Sequence, residues 1–210
     1  MSGAAQSALM KIRSLGIEVD EPIIGFAPRV NLRDPAFPAL QRASDKALVV
    51  EFSYLKPGEG RPAKRRIEPH ALIEFEGRWH VFGHDTARAA ERTFLLSRIV
   101  GEVFVTDEPF DLDRRTGAAA RARAGLEQLA AHNIAVLEVR PDTEAALRLG
   151  RRGTFDGDTA HLPFVDAHVL ADELASFGPE VRVLEPASLR ELVIERLQRV
   201  LAAHRDGGTA

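Results

Sequence analysis

Between residues 47 and 106 apolar and polar positions alternate in short runs broken by turn residues. In "ALVVEFSYL" the alternation puts Val50, Phe52 and Tyr54 on one face of a strand. "RRIEPHALIEFEG", "RWHVFGHD" and "RTFLLSRIVGEVFVTDEPF" continue the pattern. Gly58 and Gly60, then Glu76-Gly77, then "TARAAE" supply the turns. About five short strands in tight succession predict a small β-barrel, because closure removes exposed edges. Pro69 cannot donate to a ladder, so it predicts an edge, a bulge or a sharp bend in the second strand. Upstream, residues 4–15 read as a short helix with Leu9, Ile12 and Leu15 on one side and Gly16 as its stop. A linker with Pro22, Pro28, Pro35 and Pro38 follows, and residues 36–46 read as a second helix.

After residue 111 the period changes. "GAAARARAGLEQLAAHN" predicts a helical connector over 112–132. "IAVLEVR" then reads as a strand, "TEAALRLG" as a helix, and the stretch around Thr154-Phe155 and "TAHLPFVD" as two strands. "AHVLADELASFG" reads as a helix and "EVRVLEP" as a strand, which completes a ferredoxin-like βαββαβ order. Ser188 with Glu191 predicts a capping box opening a last helix, whose stripe runs through Leu189, Leu192, Val193, Leu197, Val200 and Leu201. The expected class is α+β. The expected divisions are a helical linker over 1–46, a barrel over 47–111, the connector over 112–132 and a C-terminal domain over 133–210.

Composition narrows the classes. With 45% hydrophobic and 28% charged residues in 210, the chain is globular rather than disordered. The absence of Cys excludes disulfides and thiolate metal sites and fits a cytoplasmic protein. No run approaches the roughly 20 apolar residues of a membrane span, and "MSGAAQSALMKIRSLG" predicts no leader. The net charge of -3 hides an asymmetry. From Lys56 to Arg98 nine Lys/Arg face six Asp/Glu, a balance of +3, whereas Phe155 to Glu191 holds eight Asp/Glu and two Arg, a balance of -6. That distribution suggests a local anion site rather than a surface that coats DNA, with a patchwork of solvated faces as the plainer alternative.

"GRWHVFGHD" gathers Trp79, His80, His84 and Asp85. On a strand His80 and His84 share a face but stand about 13 Å apart, too far to share a metal ion, so neither metal nor cofactor is expected. A Ser/His/Asp triad from Ser53 or Ser97 with His80 and Asp85 exists only on paper, since any chain with seven His permits one. Phosphate loops, dinucleotide fingerprints, HExxH and GxSxG are absent. Catalysis is not expected.

"RRIEPHALIEFEGRWHVFGHD" followed by "ERTFLLSRIVGEV" resembles the WYL domain of bacterial transcription regulators. The likeness runs through Arg65, Pro69, Gly77, Trp79, Asp85, Arg92, Phe94, Leu96, Arg98 and Ile99. "FGPEVRVLEPASLRELV" resembles the extension that follows such domains, and the chain looks most like the proteasome-accessory-factor B/C type. His80-Val81 stands where the family name has Tyr-Leu, and Leu95 where the fourth strand has an arginine. Family members also carry an N-terminal winged helix-turn-helix, which is not expected in these residues.

The resemblance implies an Sm-like barrel that senses a nucleic-acid effector, single-stranded DNA in the DNA-damage regulators of this type. Arg65, Arg92 and Arg98 would bind phosphates through charge-assisted bonds, and Tyr54, Trp79 and His80 would offer surfaces to unpaired bases. His80 would favour phosphate as an imidazolium. Each has a plainer role: Trp79 as core filler, Arg98 as the ion-pair partner of Glu68 or Asp85, and His70 and His84 as surface or turn residues. The implied partners are single-stranded nucleic acid, promoter DNA through the winged helix-turn-helix alone, and a second copy or a related WYL regulator in a dimer. The competing readings are a structural dimerisation module and a small hydrolase using His80, His84 and Asp85.

Overall fold

The first helix, α1 (Phe37–Asp45), begins at a proline in its first turn, where a missing N–H costs nothing, and buries Leu40 and Ala43 at a three-residue spacing. It belongs to a computed structural model that describes residues 34–206. The helix expected over residues 4–15 lies outside the described residues. Strand β1 (Leu48–Tyr54) turns Val50, Phe52 and Tyr54 inward, as its alternation predicts. It pairs antiparallel with β2 (Ala63–Phe75), and β2 pairs with β3 (Arg78–Asp85) across a two-residue turn. Both turn residues, Glu76 and Gly77, have positive φ, the geometry that matches strand twist in a tight hairpin.

β4 (Ala90–Leu95) pairs with β3, a short 3₁₀ turn (Leu96–Arg98) follows, and β5 (Ile99–Pro109) returns along β1. The strand order is β4-β3-β2-β1-β5. The expectation of a closed barrel is therefore corrected: β4 and β5 are edges, and among the described residues no ladder joins them. The sheet keeps one interior without closure because α1, Trp79, Phe94, Leu96 and Ile99 pack with Val50, Phe52, Ile67 and Val81. Burying each of the larger of these side chains contributes roughly 1.5–3 kcal/mol.

Pro69 lies in an interior strand, not on an edge. A register shift between Pro69 and Ala71 marks a bulge against β3. Opposite it is Gly83, where a Cβ would stand 2.0 Å from the Glu68 carbonyl oxygen.

Helix α2 (Ala118–His132) follows a 3₁₀ turn (Leu112–Arg115). It buries Ala118, Ala122 and Leu126 on the outer face of the first sheet, against Ile73 and Phe82. The second unit runs β6 (Ile134–Val139), α3 (Glu144–Leu149), β7 (Thr154–Asp156), β8 (Thr159–Pro163), α4 (Ala167–Ser176), β9 (Val181–Glu185) and α5 (Ala187–Asp206). Its antiparallel sheet has the order β7-β8-β6-β9 and packs Leu137, Leu149, Leu162, Leu170, Leu174 and Leu189 into a separate core. Ser188 is not the cap of the last helix, because the Pro186 carbonyl already accepts from Arg190 N–H at 3.2 Å.

Gly83→Ala should test the close approach of β3 to β2. The added methyl has backbone on its near side, so an overpacking loss of about 2 kcal/mol or more is expected in urea denaturation. Wild-type stability would mean that the bulge relaxes freely.

Candidate functional site: the cleft between the two units

Alternation along β3 sorts the residues of "GRWHVFGHD". Arg78, His80 and Phe82 line a cleft of about 1530 Å³ between the first sheet and the second unit. Trp79 and Val81 point the other way, into the core. Trp79 is thereby corrected from binding surface to core residue, with its ring edge-on to Phe37 at 4.6 Å. The other five expected residues, Tyr54, Arg65, His80, Arg92 and Arg98, all line the cleft.

Their environments differ. The Tyr54 hydroxyl accepts from Leu95 N–H at 3.2 Å, and its ring packs edge-on to Phe94 at 5.1 Å. Burial pushes its pKa up, so the phenol stays protonated. Tyr54 forms cleft wall and offers no free ring face. Phe75, half-buried on β2, brings an aromatic side chain to the cleft that the sequence reading missed.

His80 is buried, and its Nδ1 lies 3.1 Å from the Arg78 carbonyl, which can only accept. Nδ1 therefore carries the hydrogen and Nε2 is the acceptor in the neutral ring. Burial is the main cause holding the His80 pKa below its ordinary value, and the Arg78 and Arg98 charges act in the same direction. The free chain thus holds His80 neutral, not as an imidazolium. His70 is corrected from a surface residue to a buried one. Its ring packs near Phe110, its Nε2 lies 3.3 Å from the Glu68 carboxylate, and burial lowers its pKa as well.

Arg98 has neither of its expected partners. Its guanidinium grips Asp166, at the start of α4, with Nη1–Oδ2 at 2.6 Å and Nη2–Oδ1 at 2.8 Å. Glu68 is instead held by Arg114, and Asp85 accepts from Ala87 N–H. The second unit adds Arg148 from the last turn of α3 and Arg151 and Arg152 from the segment after it. Arg148 pairs with Glu144 at 3.1 Å, and Arg152 with Glu173 at 2.8 Å and Glu76 at 3.5 Å. Among the described residues no carboxylate lies within ion-pair distance of Arg65, Arg78, Arg92 or Arg151. Four guanidiniums without a carboxylate partner give the cleft an excess of positive charge.

The strand does not bring His80, His84 and Asp85, the residues of the competing hydrolase reading, into one site. His84 does not line the cleft, and Asp85 is fully buried on the opposite face from His80. Among the described residues no three His, Cys, Asp or Glu side chains are grouped to hold a metal ion, and no helix is long and apolar enough to cross a membrane.

Residues 35–102 match the WYL domain, and residues 134–201 match the WCX domain. The chain belongs to the WYL-domain family. The cleft lies between its WYL and WCX domains, with Arg65, Arg78, Arg92 and Arg98 from the first and Arg151 from the second. Protein PafB of Mycobacterium tuberculosis is 30% identical over 93% of this chain. Protein PafB of Mycobacterium leprae is 31% identical over the same share. The chain spans 64% of the length of either relative. The solved structure of proteasome accessory factor B/C (PafBC) of Arthrobacter aurescens is similar over 77% of this chain and 26% of its own, at 31% identity and a TM-score of 0.48.

The two buried histidines set a pH dependence. Both folded-state pKa values are lowered, so their contribution to stability is complete above the unfolded value of about 6.5 and is lost as pH falls below it. The urea midpoint should drop between about pH 7 and about pH 5.5, and less so in His80→Gln. Equal slopes in the two proteins would mean that His80 titrates alike folded and unfolded.

Proposed function

We propose that this chain is the effector-sensing part of a WYL-type bacterial transcription regulator and that its cleft binds single-stranded DNA, as in a DNA-damage response. The observation that carries this reading is the set of four arginines without carboxylate partners, contributed by both domains to one cleft. Guanidiniums spread over β2, β3, β4 and the segment after α3 suit a run of backbone phosphates better than one small anion. Phe75 gives an unpaired base something to stack on. The reading is of a binding protein working in the cytoplasm, with no cofactor and no catalytic step. Promoter recognition is assigned to a winged helix-turn-helix of the whole regulator, because reading sequence needs an element in the major groove. In family terms, the first sheet is taken as an open, Sm-like five-stranded sheet and the second as a ferredoxin-like βαββαβ unit.

A second reading, a dimerisation module, rests on a different observation. Ile194, Leu197, Val200 and Leu201 of α5 are all exposed, a larger apolar stripe than a solvated helix needs. The two readings are compatible, since a sensor of this kind works as a dimer with its own copy or a related WYL regulator.

Titration with a labelled oligothymidylate and a duplex of equal length, at about 50 and about 200 mM salt, tests the binding reading. Single strands should bind more tightly, with a log-log salt slope near −0.7 per phosphate contacted. Arg65→Ala and Arg92→Ala should each weaken binding and flatten that slope by about 0.7. Unchanged affinity in both folded variants would move the site elsewhere.

A further inference from the structure

Only two ion pairs among the described residues tie the first sheet directly to residues beyond Ile134. Arg152 reaches Glu76 at 3.5 Å but holds Glu173 of its own unit at 2.8 Å, so it is anchored at home. Arg98 has its only carboxylate across the cleft, and the two-pronged contact is the close one. The same planar fork that a guanidinium offers a carboxylate it offers a phosphate. Asp166 thus stands where a ligand phosphate on Arg98 would stand.

The pair is also built to part. Its two side chains are 16% and 20% exposed, so a solute in the cleft can reach them. Release strands neither partner. Asp166 Oδ1 accepts from His168 N–H at 3.0 Å and Val169 N–H at 3.1 Å, so the carboxylate keeps its place as the N-cap of α4 without Arg98. Arg98 stays in position because its turn is fixed by the backbone bond from Leu55 N–H to the Arg98 carbonyl, 3.0 Å. Val165, one residue before Asp166, packs against the apolar seam of Ile73, Phe82 and α2, so the ion pair and this apolar contact together dock the segment of the second unit on the first.

We propose that Arg98–Asp166 is a releasable latch: an internal carboxylate occupies a phosphate position and holds the two domains together, and an incoming phosphodiester displaces it and uncouples them. This rests on the anion-binding reading of the cleft and adds its regulation. Ligand binding and interdomain geometry become two sides of one equilibrium, since a ligand that needs Arg98 favours the unlatched state.

The chain lacks Cys, so Asp107→Cys and Asp156→Cys, both exposed and outside the cleft, carry one spin label each without background. Pulsed electron resonance then reads the distance between the domains in the full chain. Asp166→Asn keeps the capping oxygen and removes the charge, and Arg98→Gln breaks the pair from the other side. The latched chain should give one narrow distance. Both variants should broaden or shift it, and oligothymidylate should shift the wild-type chain the same way. Asp166→Asn should also bind the oligomer about threefold or more tightly, with a slope steeper by about 0.7. The double variant should show neither gain. An unchanged distance and unchanged affinity in Asp166→Asn would overturn the latch while leaving the binding reading intact. Opening in both variants, with no oligomer bound by any form, would keep the latch and remove the nucleic-acid reading.

Discussion

The contact between the backbone of Gly83 and the Glu68 carbonyl governs the geometry of the cleft. A side chain at residue 83 would collide with that oxygen, so β3 can lie on β2 at the Pro69 bulge only with glycine there. The bulge sets the register of the rest of the hairpin, and register decides faces: a slip of one residue would send Arg78, His80 and Phe82 into the core and Trp79 into the cleft. The positive wall of the site and the apolar filling behind it are thus fixed by one close approach of two backbones.

Charge in the cleft is divided by function rather than by count. Arg148 is neutralised by Glu144 of its own helix, and Arg152 by Glu173 of α4 and Glu76 of the facing hairpin, so both act as scaffold. Arg65, Arg78, Arg92 and Arg151 line the cleft with no carboxylate partner among the described residues. Arg98 belongs to neither group, since its partner is real but displaceable. A net charge of -3 says nothing of this, because the acidic residues sit elsewhere or are already engaged.

Much of this was legible in the chain. Alternation located β1 and β3, the change of period located the connector, and the family resemblance singled out Arg65, Arg92 and Arg98, which all line the cleft. What stayed hidden was non-local or directional. Asp166 lies 68 residues from Arg98, with no local pattern linking them. Arg151 sits between α3 and β7, in a half of the chain whose average is acidic. The opposite fates of Trp79 and His80 were implicit in the two-residue period of a strand, which separates neighbours by definition. Closure of the barrel was inferred from the cost of free edges, but helices and large side chains close the interior more cheaply than a ladder between β4 and β5.

On its α2 side, the seam with the first sheet is made mostly of alanine. Ala118 and Ala122 meet Ile73 and Phe82, and Leu126 is the one large knob. Methyl groups pass over one another without the interlocking that branched side chains impose, so such a seam resists separation more than it resists sliding. The helix joining the two domains is in that respect a bearing, along which a sub-turn displacement would open no void in either core.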